Sequence, residues 1–297
     1  MDLNKPYTKL SENLFVLHEK MFPLYLITGK QNFLIDTSIS ALQKNIYKKI
    51  KLLLHNRPLD HILLTHSHYD HTGSVPFLQE KFNSSISGSR RTIDLLQKEN
   101  VRAFIKDMNK NFNNILGISE NVEFPEIKKL NILNDGDRID IDEDRYFEVI
   151  TSPGHTKCSI SFLLLPEKIL FPGDAAGVLE KNNKIKPLFL SDYTSYVISL
   201  KKLLGIGAEM LCPPHNNYII GKNKVKDHLA RALKAAIDLK EKITRSLESG
   251  AGIKEVSENV LEKEFPLPTV EGPLKAFNIN LDSMVRAVKK LLDSGSK

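Results

Sequence analysis

The sequence is poor in cysteine and has no long apolar run. Only two cysteines occur among its 297 residues, Cys158 and Cys212, which excludes a disulfide framework and favours a reducing compartment. No window approaches the ~20 consecutive apolar residues that a membrane span requires. Residues 1–14 lack a basic start followed by an apolar core, so we expect no secretory signal and a cytoplasmic location.

The remaining composition is that of an ordinary globular chain. Apolar residues make up 41% and charged residues 26%, a balance typical of soluble globular proteins. The formal net charge of +6 comes from lysines spread over several segments, with no dense basic block. Because no nucleic-acid-binding motif accompanies them, nucleic acid is not expected as a partner. The field of such a surface attracts anionic small molecules, such as phosphorylated or acyl-CoA compounds.

Apolar periodicity predicts an α/β chain with two strand-rich blocks separated by helices. Strands are predicted at residues 14–17, 24–28, 33–35, 61–64, 146–150, 159–165, 168–171 and 210–211. Helices are predicted at residues 39–54, 74–80, 194–204, 225–247, 253–261 and 281–292, with two more helical stretches within 89–116. After Gly221 the pattern is helical only. We therefore divide the chain into a catalytic domain, residues 1–222, and a helical C-terminal extension, residues 223–297.

The most informative segment directly follows the predicted strand at 61–64. It places three imidazoles and one carboxylate within six residues: His66, His68, Asp70 and His71. Imidazole and carboxylate are ligands that suit zinc, iron and related divalent ions. A purely structural role would require partners for four buried polar side chains. Since α/β folds also place their sites at strand ends, this spacing indicates a metal site.

The segment His66-Ser67-His68-Tyr69-Asp70-His71 resembles the H-x-H-x-D-H signature of the metallo-β-lactamase superfamily. Other motifs of that family follow in its order: Ser152-Pro153-Gly154-His155-Thr156, Phe171-Pro172-Gly173-Asp174 and Pro213-Pro214-His215. Phe33-Leu34-Ile35-Asp36-Thr37 resembles its early strand with an acidic end. The resemblance implies a four-layer αβ/βα sandwich, here with a helical C-terminal extension that covers the site.

The resemblance also implies a ligand set for two divalent ions, zinc or iron, with manganese as a further option. One ion would be bound by His66, His68 and His155, the other by Asp70, His71 and His215, and Asp174 would bridge them. Such a pair lowers the pKa of a shared water, so that hydroxide can attack a carbonyl or phosphoryl centre. Asp70 would be the catalytic proton acceptor. Asp36 would either support a ligand or simply end its strand.

The family hosts many reactions, so the fold does not choose the substrate. His68 stands where the redox members of the family carry Glu, which favours hydrolysis over diiron oxygen chemistry. Only 41 positions separate Asp174 from His215, which leaves no room for the extra domain of the long nucleases. The helical extension resembles those of glyoxalase II and of the quinolone-signal response thioesterase. We therefore predict hydrolysis of a small ester or thioester.

Several alternatives stay open at this point. The chain is also compatible with a phosphodiesterase or RNA-processing hydrolase, an acyl lactonase, or a signalling protein that retains metals but acts through a partner. A homodimer is equally compatible with the sequence. The candidate substrate contacts are Tyr69, Tyr193, Tyr196 and, on the predicted roof helix, Ser283 and Met284. The histidines outside the motifs are assigned no role: His18, His55, His61 and His228.

Overall fold

The structure is a computed structural model that describes residues 6–19, 22–119, 122–180, 182–216, 218–261, 264–265 and 274–295. Its strands are β1 (Tyr7–Ser11), β2 (Leu14–Leu17), β3 (Leu24–Ile27), β4 (Phe33–Ile35), β5 (His61–Leu63), β6 (Ser85–Ser89), β7 (Leu130–Leu133), β8 (Arg138–Asp140), β9 (Tyr146–Thr151), β10 (Ile160–Leu165), β11 (Ile169–Phe171), β12 (Val178–Leu179), β13 (Ile185–Lys186), β14 (Met210–Leu211) and β15 (Ile219–Ile220).

The helices of the described residues are α1 (Gln43–Leu54), α2 (Tyr69–Thr72), α3 (Val75–Phe82), α4 (Arg90–Gln97), α5 (Glu99–Ile115), α6 (Tyr193–Gly205), α7 (Lys222–Glu248), α8 (Ile253–Val256) and α9 (Leu274–Gly295). Two 3₁₀ turns lie at Ser40–Leu42 and Gly173–Ala176, and a π-helical turn lies at Ser257–Leu261. Among these described helices, none has the length and apolarity needed to cross a bilayer.

The first sheet contains strands β1 to β7 in chain order. Its first four strands are antiparallel neighbours, whereas β4, β5, β6 and β7 are parallel. Parallel neighbours need crossover connections, which α1 and α3 provide within the links from β4 to β5 and from β5 to β6. Strands β4 and β5 therefore end at the same edge, directly before Asp36 and before the predicted metal-binding segment at 66–71.

The second sheet has the order β15-β14-β11-β10-β9-β8. Strand β10 is antiparallel to both β9 and β11, and β14 is parallel to β11. As a result β9, β11 and β14 point the same way, and their carboxyl ends lie at one edge of the sheet. His155 follows β9, Asp174 follows β11, and His215 follows β14. This topology brings three motifs that are distant in sequence to a single edge.

The two sheets pack face to face and carry helices on their outer faces. On β4, Phe33 and Ile35 enter a core shared with Phe147 and Phe162 of the second sheet, and the intervening Leu34 faces the helices. This alternation is expected of a strand that is buried on both faces. Helices α1, α3, α4 and α5 cover the first sheet, and α6, α7 and α9 cover the second. The predicted four-layer αβ/βα sandwich with added C-terminal helices is confirmed.

The structure departs from the sequence predictions at a few elements. Residues 65–71, predicted as a loop, contain the start of α2, whose Thr72 hydroxyl donates back to the carbonyl of His68 at 2.9 Å. Strands β1, β7, β8 and β15 and the β12–β13 hairpin were not predicted. Strands of only two residues, such as β12, β13 and β15, leave no periodic pattern. The last helix begins at Leu274, seven residues before the predicted start at 281. Residues 266–273, which directly precede it, lie outside the described residues.

Candidate metal centre

The side chains of the predicted ligand set converge where the strands of both sheets end. Their candidate ligand atoms form three groups within which all atoms lie within 4.8 Å of one another: His66, His68 and His155; His66, His71 and Asp174; Asp70, His71 and His215. Nε2 of His155 lies 3.2 Å from Oδ2 of Asp174, and Nε2 of His215 lies 3.3 Å from its Oδ1. The structure thus brings all seven predicted ligands together.

The ligands in segment 66–71 are supported by Asp36 at the end of β4. Its carboxylate accepts hydrogen bonds from the Thr65 backbone N–H and the Thr65 hydroxyl, both at 2.8 Å, and from Nδ1 of His71 at 2.9 Å. Because Nδ1 is engaged, Nε2 of His71 faces Asp70 and Asp174, at 3.9 and 3.6 Å. Asp36 therefore orients a ligand, as outer carboxylates do in metal sites.

Two side chains that the sequence did not reveal complete this support. The hydroxyl of Thr65 lies 3.0 Å from Nδ1 of His66. Asn109, buried on α5, accepts from the Ser40 backbone N–H at 2.7 Å and reaches the carbonyl of Tyr69 at 3.4 Å. Thr65 immediately precedes the motif, so its position was a usable signal. Asn109 occurs in an amphipathic helix far along the chain, and no local pattern distinguishes it.

The ligands that follow the second sheet are held differently. Nδ1 of His155 donates to the carbonyl of Leu188 at 2.9 Å, and the Leu188 backbone N–H donates to the hydroxyl of Tyr196 at 3.2 Å. Gly154 has φ of +128°, and a Cβ there would collide with the backbone of Tyr196. Gly173 has φ of +53°, and its Cβ would lie 2.9 Å from Cβ of Thr65. Both glycines are required because a side chain would displace the adjacent ligand.

Burial and neighbouring charge set the protonation of the histidines. Burial lowers the pKa of His66, His68 and His155 below its ordinary value, with neighbouring imidazoles adding to the effect at His66 and His68. Burial acts the same way on His71, but the charges of Asp36, Asp70 and Asp174 outweigh it and raise its pKa to about 10. Neutral imidazoles expose the lone pair that a metal requires.

The shared carboxylate shows the complementary behaviour. Burial of Asp174 favours its neutral form, but the facing imidazoles of His215, His155 and His71 lower its pKa well below the usual range. Asp174 is therefore an anion in a buried, histidine-lined position. An anion of this kind is stabilised by cations, and a metal ion supplies a larger local charge than any side chain.

Three buried polar atoms of the candidate ligands lack a hydrogen-bond partner among the described residues: Nε2 of His66, Nε2 of His71 and Oδ1 of Asp174. His215 approaches Oδ1 of Asp174 but is not aligned to donate. An orphaned buried polar atom costs roughly 1–3 kcal/mol, and here all three face one another. The donors are nitrogen and oxygen without sulfur, which suits zinc, iron or manganese. The residues therefore fit a divalent metal centre.

Aromatic rings border this centre on the side of His215. The Phe22 ring meets the His215 ring edge-on, with centroids 5.6 Å apart, and lies 6.4 Å from the Phe112 ring. Phe112 in turn packs against Tyr69 at 5.6 Å. Tyr69 is half-buried, and its hydroxyl makes no hydrogen bond to any residue the structure describes. Phe22 was missed because it occurs between two strands without a recognisable motif.

The other predicted substrate contacts occupy varied positions. Tyr193 is half-buried with its ring 5.3 Å from that of Phe189. Ser283 donates its hydroxyl to the carbonyl of Ile279 on its own helix at 2.7 Å. Tyr196 and Met284 are both 0% exposed, so neither offers surface to a substrate in this conformation. Of the five candidates, Tyr69 is the one that adjoins ligands in sequence, between His68 and Asp70, and substrate contact by all five stays a prediction.

Comparison with known proteins identifies the family of this chain. The family model of the metallo-beta-lactamase superfamily matches residues 24–215. The "Beta-lactamase-like protein 2 homolog" of Caenorhabditis elegans is 25% identical over 231 residues, which cover 77% of this chain and 64% of the relative. This chain thus spans slightly less than two thirds of that protein.

Archaeal and bacterial proteins give the same result. The "Metallo-beta-lactamase fold-containing protein ST1585" of Sulfurisphaera tokodaii is 26% identical over 214 residues, covering 69% of this chain and 76% of that one. The crystal structure of the metallo-beta-lactamase family protein TTHA1429 from Thermus thermophilus superposes with a TM-score of 0.66 at 21% identity. It covers 97% of this chain and 95% of that chain.

Proposed function

Because this chain belongs to the metallo-β-lactamase superfamily, we propose that it is a dinuclear metal-dependent hydrolase of a small-molecule ester or thioester. The observation that carries the proposal is the convergence of seven candidate ligand side chains, three of which have a buried polar atom without a hydrogen-bond partner among the described residues. One ion would be held by His66, His68 and His155, the other by Asp70, His71 and His215, with Asp174 shared between them. A shared carboxylate offsets the repulsion between two nearby cations.

Bound divalent ions would lower the pKa of water toward neutrality and polarise the bond to be cleaved. Asp70 is the ligand carboxylate best placed to handle the proton, because its side chain is 15% exposed and that of Asp174 only 5%. Oδ2 of Asp70 faces His71 and His215, at 3.9 and 3.7 Å. We assign its Oδ1 to accept the proton from the attacking water and to return it to the leaving group.

Tyr69 supplies the remaining polar contact in this proposal. Its hydroxyl has no hydrogen-bond partner among the described residues, and its neighbours Phe112 and Phe22 continue as an apolar border to His215. A neutral phenol beside the site donates a hydrogen bond to the substrate oxygen on which charge develops. The apolar border favours a substrate with an apolar acyl or aryl group on this side.

Three features support hydrolysis of a small molecule over redox chemistry or cleavage of a polymer. His68 occupies the second ligand position, which favours hydrolysis. The short spacing between Asp174 and His215 excludes an inserted nuclease domain. The C-terminal helices α7 and α9 pack beside the Asp174 turn, and Ala175 and Ala176 share a core with Leu229 and Met284. This arrangement supports an enclosed site for a small molecule rather than an open surface for a polymer.

A substrate panel tests the proposal directly. The full chain would be purified without added metal, analysed for its elements, and reconstituted with zinc, iron(II) or manganese. Turnover would then be measured on an acyl-CoA thioester, a carboxyl ester, an acyl lactone, a β-lactam and bis(p-nitrophenyl) phosphate. We expect two ions per chain and fastest turnover of the ester or thioester. Turnover confined to the phosphodiester, or a single ion in the fully active enzyme, would contradict the proposal.

A further inference from the structure

His228 lies outside every motif, on helix α7 of the C-terminal extension, and is 3% exposed. Its Nε2 lies 3.2 Å from the backbone carbonyl oxygen of Ala176. A carbonyl can only accept a hydrogen bond, so Nε2 of His228 carries the proton. Burial lowers the pKa of this imidazole, which is consistent with a neutral ring that donates from Nε2. The contact joins α7 to a turn that starts in the second sheet.

That turn carries the shared carboxylate. The 3₁₀ turn Gly173–Ala176 holds Asp174, and Ala176 follows Asp174 by two residues. Inside the turn, the Gly177 backbone N–H returns to the carbonyl of Asp174 at 3.3 Å. A single short 3₁₀ turn has few and poorly aligned internal hydrogen bonds. Its position therefore depends on contacts from outside.

The geometry at Asp174 leaves little tolerance for movement. Its two carboxylate oxygens lie 3.2 Å from His155, 3.3 Å from His215 and 3.6 Å from His71, residues that come from different segments. Metal–ligand distances are fixed to within about 0.2 Å in well-formed sites. A small shift of the turn would consequently move Asp174 out of reach of one ion.

We propose that His228 is a positioning residue for the metal centre: through its hydrogen bond to Ala176, helix α7 fixes the turn that presents Asp174. The C-terminal extension then contributes directly to metal affinity as well as to the hydrophobic core. This role goes beyond the proposed reaction, because it concerns how the site is held and does not depend on which bond is cleaved.

A purely structural role makes a different prediction. His228 also sits among buried residues of α7, including Leu229 and Ala232, so replacing it will affect stability in any case. If packing were its whole contribution, metal affinity would change only as far as the fold is weakened. If the hydrogen bond positions Asp174, affinity falls by more than an equally destabilising change elsewhere on the same helix.

The test therefore compares variants that separate the two effects. His228→Leu keeps an apolar side chain but removes the donor, and His228→Gln keeps an N–H donor at a similar reach. Ile243→Ala is the matched control, because Ile243 is fully buried on α7 and lies roughly 22 Å further along the helix axis. Zinc affinity of the metal-stripped full chain would be measured by chelator competition, and the Tm of each metal-free variant by calorimetry.

We expect His228→Leu to weaken zinc binding by about 10-fold or more, the range for residues that orient ligands. His228→Gln should recover most of that loss, and Ile243→Ala should lower the Tm at least as much while leaving zinc affinity unchanged. Should the Leu variant fail to fold, His228→Asn replaces it, since its shorter amide does not reach Ala176.

Unchanged zinc affinity in His228→Leu, or an equal loss in Ile243→Ala, would overturn the positioning role. The outcome is independent of the substrate panel. If esters are not hydrolysed but His228→Leu still weakens zinc binding, only the proposed reaction is wrong. If esters are hydrolysed but His228→Leu leaves zinc binding unchanged, only the positioning role of His228 is wrong.

Discussion

The metal centre is built from two regions that reach the same place by different means. The first region, the compact half, contributes His66, His68, Asp70 and His71 from six consecutive residues after β5. The second, the dispersed half, contributes His155, Asp174 and His215 from three separate loops after β9, β11 and β14. Asp36 and Thr65 support the compact half through side chains, at distances of 2.8–3.0 Å.

The dispersed half is supported mainly by backbone groups and by helices. His155 donates to a carbonyl, that of Leu188, and the Asp174 turn is contacted through the carbonyl of Ala176. Backbone acceptors are present at every residue and so leave no mark in a sequence. The comparison teaches that the density of ligands in the sequence and the contacts that hold those ligands are separate properties. Only the density of ligands is visible in the sequence, as the motif of the compact half.

The largest effect is expected from removing one ligand in each half. His68→Ala and His215→Ala should each lose about one ion per chain, and turnover should fall by more than the roughly 10–100-fold that outer residues cost. Elemental analysis and steady-state rates measure both. His55→Asn is a control histidine, since His55 is exposed with φ of +46° and Asn tolerates that conformation. Full activity in His215→Ala would show that His215 is not a required ligand.

Removing the carboxylate that supports the compact half should have the next largest effect. Asp36→Asn replaces an acceptor of three hydrogen bonds by an amide that must turn its NH₂ toward one of the donors. We expect about 10–100-fold weaker metal binding and a fall of the His71 pKa from about 10 toward its ordinary value. Chelator competition and an NMR titration of the metal-free protein measure these.

Asp60→Asn is the matched control for that change, because Asp60, directly before β5, accepts from the Asn32 backbone N–H at 2.8 Å, at the end of the strands away from the ligands. It should leave metal affinity as it is. Equal metal affinity in Asp36→Asn and the unaltered protein would remove the support role of Asp36.

In the dispersed half, Gly154→Ala should destabilise the fold. Its φ of +128° costs about 1–3 kcal/mol for a residue with a side chain, and the collision with the Tyr196 backbone adds to that. Gly117→Ala is the control, since Gly117 has φ of +66° and open space around its Cα. The free energy of unfolding of both variants, measured with denaturant, separates the cost of the positive φ, which both share, from the cost of the collision with Tyr196, which only Gly154→Ala has. A loss no larger than that of Gly117→Ala would show that the contact with Tyr196 can relax.

The pH dependence of metal-free stability should distinguish the histidines of the two halves. His66, His68 and His155 have lowered pKa values, so their contribution is present above about pH 6.5 and is lost during acidification. His71 has a pKa raised to about 10, so its contribution is present below about pH 6.5 and is lost as pH rises through about 10. The Tm of the metal-free protein should therefore be highest near neutral pH.

Calorimetry from about pH 5 to about pH 10 covers both transitions. Asp36→Asn separates the two transitions. In this variant the decline of Tm at alkaline pH should become smaller, whereas the decline of Tm at acidic pH should remain. A Tm that stays constant on acidification would contradict neutral, buried imidazoles at His66, His68 and His155.

The smallest effect is expected from Tyr69→Phe, which keeps the ring packing on Phe112 and removes only the hydroxyl. One hydrogen bond is worth about 0.5–1.5 kcal/mol, so kcat should fall by about 2–10-fold, with KM changing less if the bond strengthens in the transition state. Tyr47→Phe, on the outer helix face among Phe77 and Phe82, is the control. An unchanged kcat would exclude a role for the Tyr69 hydroxyl.

The sequence predicted the parts of the fold that repeat or cluster. The strands at 14–17 and 33–35 and the helix preceding His55 follow from apolar spacing, and the hexapeptide follows from ligand density. The β12–β13 hairpin could not be predicted from apolar spacing, because its strands have only two residues each. Such strands depend on their turn and on tertiary contacts, such as the close approach of Gly177 to the Lys186 carbonyl.

Site residues divide in the same way. Asp36 was visible as an acidic strand end, and the structure gives it three donors. Asn109 and His228 were not visible because each lies in a helix whose apolar pattern is complete without it, and Phe22 was not visible because it lies between β2 and β3, outside any motif. Their roles arise from tertiary contacts: 2.7 Å to Ser40, 5.6 Å to the His215 ring and 3.2 Å to Ala176. Such contacts are fixed only when distant elements have docked.

The interleaved core between the sheets has a consequence for the order of events during folding. Rings such as Phe33 and Phe147 join the two sheets, and each sheet alone presents only part of the ligand set. A nascent chain therefore cannot complete the centre before residue 215 has been synthesised and the sheets have closed on each other. Metal capture should be a late step, concurrent with the final compaction, and zinc added to a refolding chain should accelerate that last phase rather than initiate collapse.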